Sequence, residues 1–477
     1  MTYEYVVVGT SFGALGCISG LIKSKKKILC IDGSEILKED SNTKDQYDFE
    51  FTKQNIPIKK FAFNKQYKDF FKPIEVLESH SFGGLSNVWG GSALRYLKDD
   101  FEDWPISYEI LKSFYSECEK IMNIHHYNDD ISKVLNIEED IKNDTQLELY
   151  SDFIKSFIKR YIKNENYTIG YSRIALDNAK DAFSTRPLLE KLIKEKKIEY
   201  IKNLILEKFH INDDKSIELK FKNSDKKITT KKLFLGAGAL NTPKIVINSL
   251  ENKEDLNVKE SQVFFIPAIF AGKILENNTE HHTLTQSQFI HQKNIKFNIG
   301  KITYQIKYDP KLTKMLLKKQ FGLLYKAIPD FIIKRIFFIS GFINSNHSTY
   351  YAKIKKENLA VDIIENKDNK KMIKYEVLNQ LKILEKVHSF KLFKFFLKLG
   401  DFGISYHLGA SIPMLKERNI SEDKKNKLYT KKNGEISLFK NVFVIDSSNF
   451  TNIPAGPISL TIMANALRVA NESLNDK

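Results

Sequence analysis

Cysteine is scarce: Cys17, Cys30 and Cys118 are the only three in 477 residues. None stands in a C-x-x-C pair, which excludes a disulfide framework and fits a reducing cytoplasm. The ten histidines show no metal-ligand spacing, so no metal site is expected. No run is apolar and long enough to span a bilayer. The first β-branched run starts almost at Met1, so no signal peptide is expected. Internal repeats and low-complexity tracts are missing. Negative charge is also short, with 75 Lys and Arg against 59 Asp and Glu, a net charge of +16 and a pI near 9.2. That balance suits nucleic acid, an acidic membrane surface or anionic substrates. No nucleic-acid motif accompanies it, and the lysines are spread over the whole chain, as on a solvated lysine-rich surface.

With 42% hydrophobic and 12% aromatic residues the chain is globular. Its length calls for two domains. Residues 4–35 read as strand, glycine turn, helix and strand. Glu4 to Val8 is a buried β-branched run. Gly9-Thr-Ser-Phe-Gly13-Ala14 is the turn, and Asp32 follows the second strand about twenty residues on, where a dinucleotide fold places a carboxylate for a ribose hydroxyl. A pyrophosphate would sit on the helix N-terminus, where unpaired N–H groups and the helix dipole favour anions. Against G-x-G-x-x-G/A, the positions read Gly9, Ser11 and Ala14, with an extra Gly13. The same letters match the G-x-S-x-G elbow of hydrolases, but an elbow follows several strands and this turn begins at residue nine.

Further along, residues 40–80 form a polar, then basic-aromatic excursion with Phe61, Phe63, Tyr67, Phe70 and Phe71. The stretch Ser81-Phe-Gly-Gly-Leu-Ser-Asn-Val-Trp-Gly-Gly-Ser92 holds four glycines around Trp89, a sign of close backbone approach. Asp103-Trp-Pro-Ile-Ser107 leads into a helix with Ser107 as N-cap. Residues 120–180 read as helical and polar, and a helix follows over 188–194. Strand-like runs at 200–209, 216–221 and 232–235 lead to a second glycine turn, Gly236-Ala-Gly-Ala-Leu-Asn-Thr-Pro243. Alternating strands are expected at 262–270, 285–290, 295–306 and 350–354. Between the last two, residues 312–343 mix lysines with leucine, isoleucine and phenylalanine. This pattern leaves two readings open, an amphipathic segment at a membrane interface or a core helix pair. A helix is expected over 371–399. The C-terminal part carries Ser405-Tyr-His-Leu-Gly-Ala-Ser-Ile-Pro-Met414, the strand ending at Asp446, the turn up to Pro457, and a helix from Ser459.

These segments, in this order, resemble the glucose–methanol–choline oxidoreductase family, particularly its pyranose-oxidase-like bacterial members. The match rests on the first glycine turn, Gly83 to Gly91, Asp103-Trp-Pro-Ile-Ser-Tyr, Gly236 to Pro243, His407-Leu-Gly with Met414, Val444-Ile-Asp446 and Thr461-Ile-Met-Ala-Asn-Ala. It covers about a third of the chain and leaves 120–180 and 255–400 unmatched. The resemblance implies an α/β fold (α+β overall), with a Rossmann-like FAD-binding domain built from 1–105, 185–255 and 400–477. A second, sheet-containing substrate domain would take 106–184 and 256–399. Gly9, Ser11, Gly13 and Ala14 would cradle the pyrophosphate, and Asp32 would bind the adenosine ribose. Gly83, Gly84, Ser86, Asn87 and Trp89 would line the flavin. Ala237 and Gly238 would lie near the adenine half, with Leu206 contacting the adenine through its backbone. Asp446 would approach the ribityl chain, and Pro457 and Ile458 the pyrimidine end of the ring.

Val88 stands where covalent-flavin members carry histidine, so the FAD is expected to be non-covalent. His407 is the one histidine inside a family motif and is the expected base for a CH–OH group. The family's second His or Asn is replaced by Pro457 or Ile458, which cannot hydrogen-bond; Ser459 and Asn452 are the nearby polar residues. The expected function is an FAD-dependent oxidoreductase acting on an alcohol, a sugar or a lipid-linked sugar, with an electron acceptor the sequence does not name. The expected location is the cytoplasm, with peripheral contact to the inner membrane surface through 312–343. Two readings of other classes stay open: a flavin-containing lyase or isomerase without net redox change, and a non-catalytic flavin- or lipid-binding protein docked at a membrane. Anaerobic bleaching of the flavin by substrate separates the oxidoreductase from the lyase, and full biological activity in a His407→Ala variant would mark the binding protein.

Overall fold

The structure, a computed structural model, describes residues 1–34, 49–51, 57–59, 81–87, 89–135, 137, 150–160, 167–177, 182–272, 285–291, 302–307, 310–387, 389–416 and 428–475. The aromatic stretch 61–71, Val88, His80, His281, His282 and His388 lie outside the described residues.

The strands Thr2–Val8 and Ile28–Ile31 pair in parallel, joined by the helix Phe12–Leu21. Ile228–Leu235 pairs in parallel with Thr2–Val8 on its other side, and Val442–Val444 pairs in parallel with Ile228–Leu235. Glu199–Ile201 closes one edge, and the antiparallel strands Ile217–Phe221 and Leu206–Ile211 extend the other. The central strands are apolar on both faces because both are covered. Tyr5 and Val7 join one core with Phe12, Leu15 and Ile18. Val6 and Val8 join another with Leu29, Ile31 and Leu235. The helix Phe12–Leu21 meets the C-terminal helix Ser459–Asn475 through glycines: a Cβ at Gly16 would come within 2.3 Å of the Met463 carbonyl oxygen, and one at Gly20 within 2.8 Å of Ala470 Cβ. Glycine there lets the two helices pack backbone to backbone.

A second large sheet, antiparallel, runs in the order Phe390–Leu392, Val263–Phe270, Ile336–Ile343, Ile302–Lys307, Ser287–His291 and Tyr167–Tyr171. Strand alternation gives it two unlike faces. Phe264, Ile266, Phe337, Ile339 and Phe289 fill a core with Phe153 and Phe157 of the helix Asp152–Lys159 and with Ile373, Val377, Leu381 and Leu384 of Lys367–Val387. The opposite face carries Thr303, Gln305 and Gln288, all buried. A four-stranded sheet, Val361–Glu365, Tyr350–Ile354, Leu256–Glu260 and Leu408–Gly409, links this part to the parallel sheet.

Three expectations are corrected. The 312–343 segment is not a helix pair: after the helix Pro310–Phe321 it becomes turns and a short helix, and Ile336–Ile343 is a central strand. Its alternating phenylalanines and isoleucines fit a pleated sheet as well as a helix, and pairing on both sides decided it. The helix expected over 371–399 ends at Val387, and Phe390–Leu392 and Lys398–Leu399 pair with Val263–Phe270. The 120–180 region contributes an edge strand, Tyr167–Tyr171, beside short helices. Ser107 stands at the N-cap position without a side-chain cap bond. All three cysteines are buried and unpaired. Among the described residues no helix is long and apolar enough to cross a membrane, and no cluster of three His, Cys, Asp or Glu is placed to hold a metal.

Candidate active site

Four parallel strands end side by side, and each is followed by a residue singled out in the sequence. Gly9 follows Val8, Asp32 follows Ile31, Gly236 follows Leu235, and Asp446 lies just past Val444. Ligands of open α/β sheets bind outside these carboxyl ends. Gly9 (φ +102°) packs so tightly on the second turn that a Cβ would meet the Gly236 oxygen at 2.3 Å. Gly238 (φ +93°) is the opposite case: the space a side chain would take is open, with nothing within 4 Å. The helix Phe12–Leu21, with Ala14 in its first turn, has no side-chain cap bond from Ser11 and no acidic residue in that turn.

Asp32 is well tied. Thr10 Oγ1 donates to its Oδ2 at 2.6 Å, while the Ser34 hydroxyl and N–H and the Tyr200 hydroxyl donate to Oδ1 at 2.6, 3.0 and 2.7 Å. Burial, reinforced by the Asp32 carboxylate, pushes the Tyr200 hydroxyl well above its ordinary range, so it stays a donor. Leu206 opens an antiparallel strand with its side chain in the core, two residues after Leu204, whose N–H donates to the Asp32 carbonyl.

The glycine loop lies directly over the first turn. Gly83 N–H donates to Thr10 Oγ1 at 2.9 Å, and a Cβ on Gly84 (φ +54°) would sit 3.1 Å from Ser11 Cβ. Ser86, Asn87 and Trp89 serve to hold this loop. Ser86 Oγ bonds Gly83 O (2.6 Å) and Thr185 Oγ1 (2.9 Å), and Asn87 donates to Phe82 O and accepts from Ser184. Trp89 Nε1 donates to Phe183 O at 2.6 Å, with its ring edge-on to Phe12. Ser92, at the end of the motif, accepts from Gln288 and Gln305 at 3.2 and 3.0 Å. It thereby clamps the loop to the polar face of the large sheet.

Asp446 caps the second turn. Its Oδ2 accepts from Gly238 N–H (2.9 Å) and Thr242 Oγ1 (2.5 Å), and its Oδ1 from Ser448 N–H (2.8 Å). Burial raises its pKa, against the pull of those donors. Beyond it, residues 447–449 run beside 408–414, with Ser447 O accepting from Ala410 N–H at 2.8 Å and Ser447 Oγ donating to Leu408 O at 2.6 Å. Ser411 and Ser448 hydroxyls are buried along this strip without a partner.

His407 leads into that strip. Its ring stacks on Phe342 with centroids 4.3 Å apart, and its Nδ1 is buried without a partner. The residue is half-buried. Burial pushes the imidazole down to about 3, so it is neutral. Tyr406 and Ala410 flank it in left-handed backbone conformations (φ +59° and +56°), which non-glycine residues hold only where the surroundings impose them. Glu260 ties down the turn before His407: its Oε1 accepts from Gly403 N–H (3.0 Å), Ser405 N–H (3.3 Å) and Ser405 Oγ (2.6 Å), and Ser405 Oγ accepts from His407 N–H (3.0 Å).

Register places Thr303 opposite Phe342, and a Cβ on Gly456 would lie 4.0 Å from Thr303 Oγ1. The turn carrying Pro457 and Ile458, both buried, therefore meets the same polar face as His407's stacking partner. Asn452 does not stand free to replace the family's second polar residue. It accepts from Trp104 Nε1 at 3.1 Å and donates to Asp103 at 3.4 Å, so the Asp103-Trp-Pro motif clasps it. Thr10, Tyr200, Ser92 and Glu260 were not anticipated. Thr10 adjoins a recognisable turn, whereas Glu260 lies in no motif.

The fold is thus a Rossmann-like α/β sheet, parallel at its centre, joined to a second, sheet-containing part. The solved structure of pyridoxine 4-oxidase from Mesorbium loti shares it over 100% of both chains, with a TM-score of 0.64 and 11% sequence identity. No protein-family model matches the chain. No curated protein matches it either.

Proposed function

We propose that this protein is a flavin-dependent oxidoreductase that oxidises a CH–OH group of a small alcohol or sugar. One observation carries the reading: two glycine turns, Asp32 and Asp446 meet at the carboxyl ends of four parallel strands, with open space at Gly238, and the same strip leads to a neutral His407. The residues fit a dinucleotide. Gly9, Ser11, Gly13 and Ala14 would hold the pyrophosphate of FAD, Asp32 the ribose, and Ala237 and Gly238 the adenine half; Gly83, Gly84 and the turn at Pro457 and Ile458 would hold the flavin. FAD supplies a hydride acceptor when bound. His407, held neutral, would receive the hydroxyl proton of the substrate, and Glu260 through Ser405 would keep the imidazole in place. The buried amides of Gln288 and Gln305 and the Thr303 hydroxyl would give the substrate side a polar wall.

The full engagement of Asn452 favours a second reading, redox-neutral flavin chemistry, because its amide is not free to share the substrate oxygen with His407. The absorption spectrum of the purified protein, before and after acid precipitation, is the first test. Flavin bands released into the supernatant support non-covalent FAD, and anaerobic bleaching by an alcohol then supports the oxidoreductase. A bound flavin that no alcohol bleaches favours the redox-neutral reading. A colourless protein that takes up no added FAD refutes both.

A further inference from the structure

Large apolar side chains left in water are unevenly distributed over this protein. Eleven are exposed among the described residues, and seven of them fall in two short stretches: Phe321, Leu323, Leu324 and Phe331, then Phe393, Phe395 and Phe396. Leu323, Leu324, Phe331 and Phe395 keep between 65% and 94% of their surface in water. Single exposed leucines need no explanation, but clusters mark interaction surfaces.

Both stretches adjoin one strand of the large sheet. Val263–Phe270 pairs on one side with Ile336–Ile343, which follows the first stretch, and on the other with Phe390–Leu392, which precedes the second. Arg335 Nη1 donates to Gly272 O at 2.6 Å, and Phe393 N–H donates to Pro267 O at 3.0 Å, which fix the two stretches to that strand. In the first stretch the helix Pro310–Phe321 breaks at Gly322 (φ +57°), and the turn Gly322–Ala327 carries Leu323 and Leu324 outward.

The charge around these tips is mostly positive, the acids among it being paired: Glu385 bonds Lys394 at 2.9 Å. Residues 311–335 hold seven Lys and Arg and a single acid, Asp330, which pairs with Lys314 at 2.9 Å. Lys318, Lys319, Lys326 and Lys334 are exposed here, as are Lys394 and Lys398 beside the phenylalanines. Lysine can lay its alkyl stem on apolar surface while its ammonium reaches polar headgroups. A second copy of this chain would bring the same positive ring against itself, which like-charge repulsion opposes. An anionic lipid surface matches both the apolar tips and the ring.

We propose that residues 321–331 and 393–396 form a docking surface for an anionic lipid bilayer, with the leucines and phenylalanines entering the acyl boundary and the lysines meeting the headgroup phosphates. The inference stands apart from the catalytic reading.

Co-sedimentation of the full chain with vesicles tests it, using phosphatidylcholine alone and an equal mixture with phosphatidylglycerol. Binding to the mixed vesicles should exceed binding to phosphatidylcholine about tenfold and disappear at about 1 M salt, where screening shortens to ~3 Å. A Leu323→Glu, Leu324→Glu, Phe331→Glu variant should lose about tenfold or more of that binding with an unchanged unfolding midpoint, because all three side chains are exposed. Wild type that stays in the supernatant with mixed vesicles overturns the proposal, as does a variant that binds like wild type. A wild-type dimer in gel filtration that the variant dissolves would assign the surface to a second copy and overturn it equally.

Discussion

Replacing Glu260 with glutamine should abolish a pH dependence of folding that this one buried carboxyl creates. Glu260 is wholly buried; its Oε1 takes all three local donors and its Oε2 has no partner. Burial dominates, opposed by Ser405 and Gly403 and assisted by repulsion from Asp401, and it raises the carboxyl from an ordinary 4.5 to about 8. Between those values the folded chain holds a proton that the unfolded chain releases, so stability is greatest below pH 4.5 and falls as pH rises to 8. At about 1.36 kcal/mol per pH unit, the gap amounts to roughly 5 kcal/mol. That is a large part of the 5–15 kcal/mol, approximately, of an ordinary domain. Glutamine keeps an oxygen acceptor for Gly403 and Ser405 and cannot ionise. Urea unfolding followed by circular dichroism at pH 5, 7 and 9 should find the two proteins close at pH 5 and the variant more stable by about 3–5 kcal/mol at pH 9. The subtraction removes every other titrating group. Parallel pH profiles for wild type and variant would refute the reasoning, because Glu260 would then carry its charge in the folded state at no penalty.

Four further outcomes follow from the geometry. His407→Ala should retain flavin but slow anaerobic bleaching by about 10²–10⁴-fold; a rate within a few-fold of wild type would remove His407 from the proton-accepting role. Because His407 is pushed down to about 3, the rate of that bleaching should show no acid limb near 6.5, and a limb there would mean an imidazole that charges freely. The two positive-φ glycines should fail differently. Gly9→Ala would drive a Cβ into the Gly236 carbonyl and prevent stable folding, whereas Gly238→Val should fold, at about 1–3 kcal/mol of backbone strain, and lose the flavin spectrum. Soluble colourless Gly9→Ala, or yellow Gly238→Val, would contradict this. Asp129→Ala should lower stability by about 3–5 kcal/mol in urea titrations, because Arg173, buried and paired to Asp129 at 2.7 and 2.8 Å, would lose its carboxylate and keep only the neutral acceptors Tyr171 O and Ser132 Oγ; an unchanged midpoint would show that the pair contributes nothing.

The sequence by itself determined the local frame. A β-branched run, a glycine turn and a carboxylate about twenty residues on need no distant contact to be read. The Gly9 turn, Asp32, the Gly236 turn and Asp446 accordingly appear at the ends of adjacent parallel strands. The free buried cysteines, the strand Val263–Phe270 and the C-terminal helix were legible for the same reason, since period and punctuation are local properties. Tertiary structure alone decided what depends on pairing and burial. Residues 336–343 carry an apolar pattern that suits helix or sheet, and only partners on both sides made them a strand. Asn452 looked available until Trp104 and Asp103 took both ends of its amide. Glu260 carries no motif, yet the turn between Gly403 and Ser405 folds its donors onto one oxygen of that carboxyl and so sets the backbone of His407. The neutrality of His407 depends on its burial against distant residues such as Phe342, 65 residues earlier in the chain. Proton affinity and solvent exposure are properties of the environment that distant residues build, so residue identity sets which chemistry is possible and the fold sets which of it is available.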